Sequence, residues 1–143
     1  MNILITGAAG FLGSHLVDYF VKNNHNVIGV DNMIGGSEDN INPQSKFIKE
    51  DITELDVMDK ICNNENIEVI YHCAATPHEG LSVFSPYIVS KHNFSATVSV
   101  VTAACKNKVK RIIYCSSMAR YGAQEHPFTE DMNTKPIDPY AIS

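Results

Sequence analysis

Apolar positions in this chain fall in short unbroken runs, separated by stretches with a spacing of three and four. The runs "NILIT" (2–6), "NVIGVD" (26–31), "KFIKED" (46–51), "IEVIYHCAA" (67–75) and "RIIYCSS" (111–117) are too short for helices, and the first is continuous and β-branched, which predicts five strands. "FLGSHLVDYFVKN" (11–23) sets Phe11, Leu12, His15, Leu16, Tyr19 and Phe20 three and four apart and predicts an amphipathic helix. "DVMDKICNN" (56–64) predicts a second helix. A long third one, 86–107, is opened by Pro86, whose fixed φ suits a first helical position. Continuous rather than alternating hydrophobicity implies strands buried on both faces. Strand alternating with helix implies right-handed crossovers and parallel pairing. The expected fold is a doubly wound α/β parallel sheet of order 3-2-1-4-5, as a single domain over residues 1–143. Ligands of such sheets lie beyond the carboxyl ends of the strands, so the residues after each strand are the candidates.

After the first strand comes "TGAAGFLG", with Gly7, Gly10 and Gly13 three apart. A strand before and a helix after give these glycines the context of a Rossmann-type dinucleotide site. Gly7 makes the sharp turn, Gly10 lets backbone approach a pyrophosphate, and Gly13 lets the helix pack on the sheet. The helix start, with Phe11 and Leu12, offers free N–H groups and a positive dipole end to the anion. The second strand ends at Asp31, followed by Asn32. A carboxylate there takes ribose hydroxyls and repels a 2′-phosphate, which favours NAD over NADP. Asp51 and Ile52, after the third strand, suit an adenine: the carboxylate accepts from the exocyclic amine and Ile lies on the ring. Asp51 suits a helix cap as well. Ala74 and Ala75, after the fourth strand, are small where a cofactor needs clearance. His72 reads as a packed strand-end histidine. With Cys73, His78 and Glu79 it has no recognisable metal-ligand spacing, so no metal site is expected.

Composition narrows the class. The net charge is −5, and the one basic cluster, Lys106 to Arg111, reads as a solvated helix end leading into a strand. Nucleic acid is therefore not an expected partner. No apolar run approaches the roughly 18 residues of a membrane span, and no secretory leader pattern precedes the first strand. The four cysteines are far apart without a C-x-x-C pair, which reads as reduced, mostly buried thiols of a cytoplasmic protein.

Later segments carry a resemblance. "TGAAGFLG", "VDNMIGG", "EDIT", "HCAA", "SVFSP", Asn93 with Thr97 in "NFSAT", "SSMARYG", "PFTED" and "PYAIS" follow one another in the order of the extended short-chain dehydrogenase/reductase family. Within it, the chain resembles the NAD-dependent nucleotide-sugar epimerases and dehydratases, and "VDNMIGG" is most similar to the UDP-galactose 4-epimerase branch. The resemblance implies Ser117 and Tyr140 as the catalytic pair and Asn93 among the residues at the cofactor. A tyrosine base needs its pKa brought down from about 10, which a nearby Lys and a positive nicotinamide would do. In the family's 4,6-dehydratases an Asp-Glu pair follows the catalytic Ser position. Here Met118 and Ala119 stand there and can move no proton, which leaves epimerisation at one carbon. Ser85, Ala96 and Arg120 depart from the family's usual Lys, Gly and Val. The implied partners are a nucleotide sugar and, for the full-length protein, a second copy in a homodimer. Other readings are a nucleotide-sugar dehydrogenase or reductase, or a dinucleotide-binding sensor. The family's Tyr-x-x-x-Lys would place its Lys at position 144. The chain is therefore expected to be the front portion of a longer epimerase, binding NAD weakly and inactive alone.

Overall fold

The computed structural model describes residues 1–143. Five strands, β1 (Asn2–Thr6), β2 (Asn26–Asp31), β3 (Lys46–Lys49), β4 (Val69–His72) and β5 (Arg111–Tyr114), form one parallel sheet ordered β3-β2-β1-β4-β5. The order is the expected one. Between the strands run α1 (Phe11–Lys22), α2 (Leu55–Asn64), α3 (Glu79–Ser82), α4 (Pro86–Ser90) and α5 (Ala96–Lys106), with α6 (Pro139–Ile142) last.

Alternation along the central strands divides the core in two. Leu4, Ile28, Val30 and Ile70 join Met58, Ile61 and Cys62 of α2 and Ala96, Val100, Ala103 and Ala104 of α5. Ile3, Ile5 and Val27 face the other way, onto Ala8 and Val17, with Leu16, Phe20 and Val21 packed against them. Both faces being covered is what the unbroken apolar strands required. The face that α1 buries is rotated from the one its spacing suggests. Gly13, Ser14 and Val17 are buried, while Phe11, His15 and Tyr19 point outward. The reason is close approach at the helix start: a Cβ on Gly13 would sit 2.0 Å from Gly7 O and 3.0 Å from Ala8 Cα, so α1 turns Gly13, Ser14 and Val17 to the sheet.

Three strands are shorter than their apolar runs. β3 stops at Lys49 rather than 51, β4 covers 69–72 rather than 67–75, and β5 ends at Tyr114 rather than 117. The ladder runs out there, and Asp51, Ala74, Ala75 and Ser117 lie in irregular backbone beyond it. The long helix of 86–107 is helical from Pro86 to Lys106 but changes pitch at a π segment, Lys91–Ser95, between α4 and α5. Short elements with no apolar periodicity went unread: α3, α6 and the 3-10 turns Glu38–Asn40 and Met118–Tyr121. The expectation of mostly buried thiols is corrected. Cys62 alone is buried, Cys73 is half-buried, and Cys105 and Cys115 are exposed. No helix is long and apolar enough to cross a membrane.

Candidate functional site

The glycine loop links β1 to α1. Gly7 has φ +68, a left-handed conformation that suits glycine, and a Cβ on it would lie 2.8 Å from Ala74 N. At Gly13 a Cβ would sit 2.0 Å from Gly7 O, so α1 can start here only without a side chain. Gly10 is the N-cap of α1. It supplies no side-chain cap, and no acidic residue stands in the first turn. The first N–H groups of a helix have no partner within it, so this end is open to an anion. The loop is tied to β2 through Asp31, 9% exposed, whose Oδ2 accepts from Ala9 N–H at 3.0 Å and whose Oδ1 accepts from Met33 N–H at 2.8 Å. Each carboxylate oxygen has about two acceptor positions, so each keeps one for a further donor such as a hydroxyl. Asn32 accepts from Ile34 N–H. Beside the start of α1 a hollow of about 570 Å³ opens between Phe11, Ser14 and His15 and the loop carrying Gly36, Ser37 and Asn40. Asn40 closes that loop onto the glycine turn by donating to Ala9 O at 2.8 Å.

Asp51 accepts from Thr53 N–H at 2.9 Å and shapes the turn ahead of α2, whose N-cap is Glu54 rather than Asp51. Ile52 is 7% exposed and belongs to the core, so it offers a ligand little more than an edge.

A second site lies past β4 and β5. Ser117, Tyr140, Asn93, Thr97, Ala74 and Ala75 line one cleft, with Cys115, Ser116 and Ser143. Ser117 caps the 3-10 turn Met118–Tyr121, its Oγ accepting from Ala119 N–H at 3.2 Å. Tyr140 is held by the first turn of α6, where Asp138 caps Ala141 N–H at 2.8 Å and Pro139 occupies an opening position. Asn93 sits in the π segment and reaches both sides: Oδ1 accepts from Thr76 N–H at 2.7 Å, and Nδ2 donates to Ser143 Oγ at 3.3 Å. Pitch changes of this kind are frequent at functional sites. Arg120 is the one charged residue of the cleft lining, and its guanidinium lies 5.2 Å from the Tyr121 ring centroid.

His72 joins the two sites. Thr97 Oγ1 donates to Asn93 O at 2.7 Å, so at 3.0 Å it accepts from His72 Nε2–H. Nδ1 of the neutral ring is then the acceptor of the Thr6 hydroxyl at 2.7 Å, and Thr6 Oγ1 accepts from Ala74 N–H at 3.1 Å. Burial holds this imidazole neutral, pulling its pKa down to about 4. Sequence reasoning placed His72 as a packed histidine, but Thr6, His72 and Thr97 as one relay gave no motif to find. No group of three or more metal-ligating side chains comes together.

A parallel doubly wound sheet, a side-chain-free glycine turn at a helix start and a carboxylate after β2 define a Rossmann-type dinucleotide-binding fold. The sequence, over residues 3–143, matches the NAD dependent epimerase/dehydratase family, and the chain belongs to it; the family's cofactor is NAD. A Methanocaldococcus jannaschii protein provisionally named UDP-glucose 4-epimerase is 37% identical over 143 residues, covering 99% of this chain and 47% of its own length. UDP-glucose 4-epimerase of Lactobacillus helveticus is 33% identical, covering 98% of this chain and 43% of its own. Among solved structures, the Thermotoga maritima UDP-glucose 4-epimerase with UDP-glucose superposes with a TM-score of 0.94 at 33% identity, over 99% of this chain and 47% of that one. The Thermus thermophilus UDP-glucose 4-epimerase in complex with NAD gives 0.94 at 25%, with the same coverage. The chain thus spans about half the length of these relatives.

Proposed function

We propose that these 143 residues are the NAD-binding portion of a nucleotide-sugar epimerase that inverts one carbinol carbon, C4 being the favoured position. The observation that carries this is the single cleft lined by Ser117 and Tyr140 at the carboxyl ends of β4 and β5, reached from the glycine turn through Ala74. In this reading Gly7, Gly10 and Gly13 with the N–H groups of Phe11 and Leu12 hold the pyrophosphate. Asp31 and Asn32 hold the adenosine ribose, and Asp51 and Ile52 border the adenine. Ala74 and Ala75 leave room for the rest of the cofactor, while Asn93 fixes the floor. When bound, NAD supplies a reversible hydride acceptor. Tyr140 takes the proton of the sugar hydroxyl and returns it, and Ser117 hydrogen-bonds the same oxygen to keep it in line. Met118 and Ala119 have no proton to give, which supports epimerisation over water elimination.

The outward side of the α4–α5 run supports a second copy as partner. Tyr87, Phe94, Val98 and Val101 are exposed along it, a stripe of the kind that marks association surfaces.

The test uses the longer gene product with UDP-glucose, UDP-galactose and their N-acetyl forms. Interconversion is expected, with Tyr140→Phe and Ser117→Ala each about 10²–10⁴-fold slower. No interconversion of any of these sugars by the unaltered protein would overturn the reading.

A further inference from the structure

Cys73 and Cys115 each follow the last ladder residue of their strand, since His72 pairs with Tyr114 in the β4–β5 register. Their sulfurs stand 3.5 Å apart, in contact but not bonded. Cys115 is exposed and lines the Ser117–Tyr140 cleft, and Cys73 is half-buried behind it. The mechanism above uses neither. A disulfide needs its sulfurs about 2.0 Å apart, so closure asks the two sulfurs to approach by roughly 1.5 Å, which re-aims both side chains and pulls on the segments that carry them. Both residues lie past the ladder: Cys115 N–H still donates to His72 O at 3.1 Å, and Cys73 is followed by Ala74, whose N–H donates to Thr6 Oγ1, so a pull between the two sulfurs is felt at Ala74 and the glycine turn.

We propose that Cys73 and Cys115 form a peroxide-responsive dithiol whose closure to a disulfide displaces Ser117 and Ala74 and so disables the cofactor cleft. The exposed Cys115 reacts first. Its thiolate sulfur attacks one peroxide oxygen, the O–O bond breaks, and the departing hydroxide takes a proton to become water, leaving a sulfenic acid. Cys73 sulfur then attacks the Cys115 sulfur, the S–O bond breaks, and a second water leaves with the Cys73 proton. The two sulfurs together lose two electrons and the peroxide gains two. Burial and the neighbouring thiol push Cys73 up to about 12, which keeps it a protonated thiol and leaves the exposed Cys115 to react first. Cys73 precedes Ala74, whose N–H ends the His72 relay and whose backbone abuts Gly7. Cys115 stands two residues before Ser117.

The effect on the cleft rests on the epimerase reading; the disulfide does not. The experiment uses the 143-residue chain with Cys105→Ser, which removes the other exposed thiol. After hydrogen peroxide, two free thiols should be lost and a peptide linking Cys73 to Cys115 should appear by mass spectrometry. NAD affinity by calorimetry should fall at least tenfold and return with dithiothreitol. Cys115→Ser should show neither change. In Cys73→Ser, Cys115 should stop at a sulfenic acid trapped by dimedone. Sulfinic acid at Cys115 without the linked peptide would overturn the dithiol. A linked peptide with unchanged NAD affinity would overturn the gating. If the reduced chain binds no NAD, the gating of this chain is overturned, and the linked peptide alone decides the dithiol.

Discussion

His72 is hydrogen-bonded on both ring nitrogens and buried, and its neutral form is the one the relay accepts. Its folded pKa of about 4 lies below the ordinary 6.5, so the unfolded chain takes up the proton first as pH falls. Stability is full above pH about 6.5 and declines down to about 4, by roughly 3 kcal/mol at 1.36 kcal/mol per unit. Urea midpoints at pH 7 and pH 4.5 test this; His72→Gln, which still bonds both ways but does not titrate, should flatten that component. At Gly13 the expected outcome is harsher. Gly13→Ala puts a methyl 2.0 Å from Gly7 O, which is backbone and has nowhere to go. NAD binding by calorimetry should be lost. Glycine spacing made Gly7, Gly10 and Gly13 legible from sequence, and position alone made Asp31 legible. What Asp31 grips was not: its two N–H partners, on Ala9 and Met33, carry no side-chain signature.

Elements were legible where apolar periodicity is long, as in α1, α2 and the run ending in α5. Their ends were not, because small residues, Cys73 to Ala75 after β4 and Cys115 to Ser117 after β5, continue the runs past the ladder into the cleft wall. α6 is four residues and owes its place to Asp138 and Pro139 rather than to burial. Asp138→Ala should therefore loosen Tyr140 without touching the core. A loss of about 1 kcal/mol in cap energy, with faster amide exchange at Ala141, is the expected result. α5 is the opposite case. Val100 is fully buried between the sheet and α2, and Val100→Asp would bury an unpaired carboxylate there. Circular dichroism should show the whole domain unfolding, not the helix alone.

At the scale of the molecule, the two-sided core followed from the hydrophobic pattern, since only helices on both faces could cover strands without a polar side, and the strand order came with the doubly wound class that alternating strands and helices imply. The outward stripe of α4 and α5 did not, because a helix apolar on two sides reads the same whether its second side meets a sheet or another copy. If that stripe is an interface, Phe94→Glu should halve the particle mass of the longer gene product in sedimentation equilibrium and leave its helical signal unchanged. The sheet order also carries a temporal consequence. β1 is the first strand made and occupies the centre, flanked by β2 and β4. Its second neighbour is synthesised roughly sixty residues later. A nascent chain therefore holds an unsatisfied central edge until β4 is made, at a stage when such edges invite wrong pairing. Slowing translation before β4 should lengthen that exposure and lower the soluble yield, whereas the same delay after β5 should not.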